Sequence, residues 1–135
     1  MSPKEYIDQQ CEAFEKTILD MGVTEKFVYA LENICKLDHL KETLWPSSGP
    51  PEELGNAVSI MWGAVLTKII AHSYISQWQV DPETNLPVVV VKCANRGMQV
   101  RSIVYGAQAF KNNDSFGQVW KDLEKTLEEA NAEKK

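Results

Sequence analysis

The chain has 135 residues, 44% of them hydrophobic and 24% charged, with a formal net charge of −5. This size suits one domain with one core and leaves little room for a second. The composition excludes collagen, low-complexity disorder and a disulfide scaffold, and the acidic balance argues against nucleic acid as the main partner, because phosphate recognition needs clustered cations. Only Arg96 and Arg101 among the fourteen basic residues are arginine.

The N-terminal stretch MSPKEYIDQQCEAFEK is charged throughout and lacks the apolar run of a signal peptide. Ser2 is placed to cap a first helix, with Pro3 at its first position and Glu5 closing a capping box. Ile7, Cys11, Phe14, Ile18 and Met21 then recur at helical spacing as one apolar stripe, and Gly22 is a natural stop. A second helix is predicted to start at once. Thr24 would cap it, Val23 and Val28 would form a hydrophobic staple, and Phe27, Leu31, Ile34 and Cys35 would supply its buried face. The short link at Gly22 implies a helical hairpin over residues 1–39.

Residues 40–51 read as an ordered loop, because LWPSSGPP carries three prolines and a glycine. Trp45 precedes Pro46, which favours an extended backbone there. Residues 52–135 form the rest of the single domain. Its central helix runs from about Pro51 to about Ser73, with Glu52 and Glu53 in the first turn, where the helix dipole favours negative charge. Leu54, Val58, Met61, Val65 and Ile69 make one stripe, and Ile60, Trp62, Leu66 and Ile70 widen it around most of the circumference. A helix apolar on nearly all sides is a buried one. Its longest apolar stretch, Ala57 to Thr67, falls short of the roughly 20 residues of a membrane span. Gly55, Ser59 and Gly63 line a narrow strip that invites close approach by a neighbour.

The period then changes to two. A strand is predicted from Tyr74, with Trp78 and Val80 facing inward. Asp81 to Asn85 has turn composition, Val88 to Cys93 suits a central strand, and Asn95-Arg96-Gly97 reads as a second turn with Gly97 at positive φ. Met98, Val100 and Ser102 continue a third strand, completing an antiparallel meander. A short helix follows over Ile103 to Phe110. Asn112 to Ser115 breaks it, Asp114 or Ser115 caps the last helix, and Phe116, Val119, Trp120, Leu123 and Leu127 give that helix its buried face. The tail EEANAEKK reads as a frayed end. The predicted fold class is α+β: a helical hairpin, a long central helix, a three-stranded antiparallel meander and C-terminal helices on one side of the sheet.

No catalytic, metal or cofactor constellation emerges. Cys35 and His39 stand four apart, as in half of a zinc site, but no second ligand pair exists. Cys93 with His72 is a weak nucleophile–base pair, since a valine-rich strand buries thiols and does not activate them. Three cysteines without paired spacing fit a reducing cytoplasm. Paired carboxylates occur only at helix starts, turns and the tail, and the glycines match no phosphate-binding fingerprint. The candidate partner contacts are Trp45, in the proline-rich loop, together with Asp81, Glu83, Arg96 and Arg101.

From Leu54 to about Leu127 the order of features resembles a family of small, uncharacterised bacterial domains of unknown function. The features are Leu54-Gly55 opening an apolar helix with Gly63 eight residues on, a strand around Trp78, Pro87 before a valine run, and Asp114-Ser115 before the last helix. Arg101-Ser102-Ile103 stands where that family places an Asn-Pro-Phe type segment. The resemblance implies a fold and no catalytic residues. Small acidic domains of this kind resemble immunity proteins of bacterial toxin systems. The function expected is therefore a non-enzymatic cytoplasmic protein-binding module, of immunity type, that occludes a basic partner. The alternatives are an acidic secretion-chaperone-like homodimer, and a small-ligand binder or enzyme with a pocket near His72, Cys93 and Arg101.

Overall fold

The computed structural model describes residues 2–46, 49–94 and 96–132. Five helices and one antiparallel sheet follow in the order α1 (Pro3–Asp20), α2 (Ile34–Leu44), α3 (Gly55–Ser73), β1 (Ser76–Val80), β2 (Pro87–Cys93), β3 (Arg96–Val100), α4 (Ser102–Lys111) and α5 (Phe116–Ala132). The fold is α+β, with the meander order β1-β2-β3.

Helix α1 starts as its sequence dictates. The Ser2 hydroxyl accepts from the Glu5 amide at 3.2 Å, and the Glu5 carboxylate accepts from the Ser2 amide at 3.3 Å. Ile7, Cys11, Phe14 and Ile18 are buried. The helix ends in a Schellman motif: Gly22, at φ 100°, donates to Leu19 and Val23 donates to Ile18. Met21 falls past the last turn and is exposed, so the stripe closes at Ile18.

The second helix begins nine residues later than predicted, with Asn33 and not Thr24 before its first turn. Thr24 caps nothing, Val28 is exposed, and residues 23–30 form a non-helical strap ahead of a 3-10 turn at Leu31–Asn33. Valine, threonine, phenylalanine and tyrosine are weak helix formers. An extended chain also puts Phe27 and Tyr29 on the same side. Phe27 packs edge-on against Phe14 at 5.6 Å, and the Tyr29 hydroxyl donates to Glu15 at 3.1 Å. The link between the two N-terminal helices is thus a strap and not a tight turn; α1 packs chiefly on α3, and α2 on α5. Helix α2 runs on to Leu44, which shortens the proline-rich loop at its start. Cys35, predicted to be buried, is exposed, because Ile34, Leu37, Leu40 and Lys41 form the inner face.

Helix α3 is the axis of the domain. Every residue from Met61 to Thr67 is buried, between α1, α4 and β2. Together with the turn before it, the stretch Glu52–Ser73 is long and apolar enough to cross a membrane by length and composition alone. Here Trp62 sits within a cage of rings: Phe14 at 5.1 Å, Phe110 at 5.0 Å, Phe116 at 6.1 Å and Trp45 at 6.2 Å. The small-residue strip does its packing at Gly63, where a Cβ would lie 2.4 Å from the Ile103 carbonyl oxygen. Gly55 has open space around it and instead supplies the positive φ, 75°, that opens the helix.

In the sheet, Trp78 pairs with Val89 and Val89 with Val100 on the face toward the helices. Gln77, Val90 and Gln99 form the corresponding row on the other face. Val80, predicted to face inward, is exposed at the end of an edge strand. The predicted second turn moves by one to two residues. Ala94 takes the positive φ, 51°, while Arg96 and Gly97 are already in β3, and Asn95 lies outside the described residues, as does the end of the tail, 133–135. Ser102 leaves the strand to open α4, where its hydroxyl lies 2.6 Å from that of Thr67.

Candidate functional site

The five predicted contact residues separate into two groups. Trp45 is half-buried and folds back over the core, 5.6 Å edge-on from Phe110, so it is a lid and not a free hot spot. Asp81, Glu83 and Arg101 come together. Asp81 is fully buried, and its Oδ2 lies 3.0 Å from Arg101 Nε. That oxygen has no well-aligned hydrogen bond, so the contact is mainly one of charge. Its Oδ1 accepts from the Glu83 amide at 3.0 Å, and Arg101 Nη1 reaches the Glu83 carboxylate at 3.1 Å. Arg101 therefore ties the β1–β2 turn to the start of α4, and its charge is largely used within the chain. Arg96 is exposed at the start of β3.

The three residues suggested for a pocket have different settings. Cys93 is fully buried in the core. His72 is exposed at the end of α3, against the Tyr29 ring at 6.4 Å, and Arg101 faces Asp81. Cys35 and His39 both lie on the exposed side of α2, and no cluster of three or more metal-ligating side chains is found among the described residues.

Two residues that sequence reasoning passed over organise the C-terminal half. Asp38 on α2 caps α5 from outside that helix: its carboxylate accepts from the amides of Phe116 at 2.6 Å and Gly117 at 3.0 Å, and from the Ser115 hydroxyl at 2.9 Å. Ser115 completes the cap through the Gln118 amide at 3.1 Å. One turn on, Lys41 is buried, and its ammonium donates to the carbonyls of Ala109 (3.4 Å) and Asp114, with the Phe116 ring 5.0 Å away. Burial pushes its pKa down, opposed by Asp38 and Asp114. Negative charge thus meets the start of α5, and positive charge the end of α4, as the two dipoles favour. Replacing Asp38 by alanine is expected to cost about 2 kcal/mol, since it orphans two amides and a hydroxyl. Urea unfolding measures the loss, and asparagine at the same position should recover part of it.

This clamp fixes the angle between α4 and α5, and a groove of about 330 Å³ opens between them. Tyr105, Gln108, Ala109 and Asn112 line one wall, and Val119, Asp122, Leu123 and Thr126 the other. Both sets follow the i, i+3, i+4, i+7 spacing of a single helix face. Asp114 closes one end. The floor is apolar, the walls carry carboxamides and carboxylates, and Tyr105 is 42% exposed at the rim. The volume is near the lower limit for ligand sites and suits one side chain better than a cofactor. Sequence reading placed Val119 and Leu123 in the core; both are half-buried because they border the groove. The double stripe was the available signal, and it was masked because each stripe mixes apolar with polar residues.

A polar cluster on the opposite side has a structural explanation. Lys68 lies 3.3 Å from Asp8 and 4.6 Å from the Tyr29 ring centroid, and Cys11 is in contact with the Ala64 carbonyl at 3.7 Å. Burial pushes the Cys11 thiol up to about 12, which leaves it unreactive at neutral pH. An unfolded chain ionises this thiol near its ordinary value of 9.0, whereas the folded chain keeps the proton. Stability is therefore full below about pH 9 and falls as pH rises from 9 toward 12. Cys11→Ala should flatten that fall, as read by urea midpoints at pH 8, 9.5 and 10.5.

No family model, curated protein or solved structure matches the chain.

Proposed function

We propose that the protein is a non-enzymatic, cytoplasmic protein-binding module that occludes a basic partner through the α4–α5 groove, in the manner of an immunity-type protein. The observation that carries this reading is the groove itself: an apolar floor, two carboxylates and an exposed tyrosine on a chain of net charge −5. Tyrosine at the rim of a concave, partly apolar surface is typical of binding hot spots. The acidic charge would speed encounter with a basic partner, and would do so less at high salt.

The test is affinity capture with the wild-type chain beside a Tyr105→Ala/Asp122→Lys variant. A basic protein held one-to-one by the wild type, and lost at least tenfold from the variant, supports the reading. Equal capture by both places recognition elsewhere and overturns it.

A homodimer is the rival reading. Ile75 just before the edge strand β1 and Val80 at its end are 78% and 49% exposed, an arrangement open to strand pairing with a second copy. Light scattering separates the two: a dimer in the absence of any partner favours the rival.

A further inference from the structure

We infer that the α4–α5 groove takes the guanidinium of a partner's arginine. This rests on the reading of the groove as the protein's recognition surface and names the chemistry that it selects. Ala109, Val119 and Leu123 offer apolar surface for a three-carbon stem. Around that floor stand four acceptor-bearing side chains, Gln108 and Asn112 on one wall, Asp122 on the other, and Asp114 at the closed end. The guanidinium carries five donors in a planar fork, whereas an ammonium carries three on one point, so acceptors distributed over both walls favour arginine. Tyr105 at the open end adds a ring face against which a planar cation can stack.

Among the described residues, no lysine or arginine lines this groove. Lys41 is held behind it by the carbonyls of Ala109 and Asp114, and Lys111 donates away from it, to the Asn56 side chain. Lys41 offsets part of the Asp114 charge, which leaves Asp122 as the principal anion. Gln118 donates to Asp122 Oδ1 at 3.2 Å and orients that carboxylate along the wall.

The direct experiment titrates the whole isotope-labelled protein with N-acetyl-arginine amide, N-acetyl-citrulline amide and N-acetyl-lysine amide (the side-chain amine left free). Saturable shifts of the Tyr105, Ala109, Leu123 and Thr126 amides are expected in the millimolar range for arginine. The neutral citrulline probe, which keeps the shape and loses the charge, should bind at least fivefold more weakly. So should arginine to Asp122→Asn, whose amide spectrum should otherwise match the wild type. Citrulline binding as well as arginine, lysine binding more tightly, or shifts outside the groove would each overturn the inference. Partner capture keeps this separate from the wider reading. A partner lost with Tyr105→Ala but retained by Asp122→Asn, with arginine silent, removes the arginine assignment and leaves the binding module standing. Arginine shifts without any partner do the reverse.

Discussion

Gly63→Ala is expected to lower the melting temperature by about 8 °C, although alanine is the better helix former. In an exposed helix interior the exchange would gain about 1 kcal/mol. Here the new methyl would stand 2.4 Å from the carbonyl oxygen of Ile103 and 3.0 Å from its Cα. Those atoms belong to the backbone of α4 and cannot swing aside as a flexible side chain can. Helix α4 is also anchored at both ends, by Ser102 beside Thr67 and by Lys41 on the Ala109 carbonyl. Separating α3 from α4 would strip contact from Gly106, whose own Cβ position is 2.7 Å from the Gly63 Cα. Overpacking of this kind costs typically 1–3 kcal/mol, and rigid neighbours place it at the upper end; less the helix-propensity gain, the net loss is about 2 kcal/mol. Thermal denaturation reads it directly, because a domain of this size loses roughly 3–5 °C per kcal/mol. Gly55→Ala would lose stability for a different reason: it has no atom to meet, but at φ 75° and ψ −173° it must hold a backbone conformation essentially confined to glycine, at about 1–3 kcal/mol. A melting temperature left unchanged or raised by Gly63→Ala would refute the close-packing account.

Arg101→Met should cost about 2–3 kcal/mol, and adding Asp81→Asn should return part of it. Removing one member of a buried pair leaves a desolvated charge, which costs 3–5 kcal/mol where both members are fully enclosed. Asp81 is fully enclosed, but the Arg101 side chain is 37% exposed, so water can reach the vacated side and reduce the penalty. The asparagine removes the stranded charge and keeps an acceptor for the Glu83 amide. A double-mutant cycle by urea unfolding measures the coupling. The outcome also decides between two roles for Arg101. A fold-stabilising tie predicts lost stability with an unchanged affinity for any captured partner. A contact residue predicts the opposite.

Much of the fold was legible because local rules and burial agree there. The capping box at Ser2 and Glu5, the stop at Gly22, the all-round apolar α3 and the valine run of β2 each carry a signal that no tertiary contact opposes. Residues 23–30 went the other way. Their apolar spacing fits a helix and a strap equally well, and the decision lay with Phe14 and Glu15, which reward an extended Phe27 and Tyr29. Gly97 and Ala94 show the same limit at smaller scale: glycine was the better candidate for positive φ, but register against β2 placed it inside the strand. Of the site, the acidic balance was visible, and Asp81, Glu83 and Arg101 were visible as separate charged candidates, but not that they face one another.

Sequence by itself determined the class of this protein: an α+β fold with a buried central helix and a three-stranded meander. These follow from periodicity, capping and turn chemistry, which act over a few residues. Tertiary structure alone decided that Trp45 covers the core, that Arg101 faces a buried aspartate, and that Asp38 and Lys41 clamp the start of α5 and the end of α4 to α2 beside a groove. Each of those depends on partners separated by tens of residues in the chain, where spacing carries no information and only the packed geometry brings the charges together.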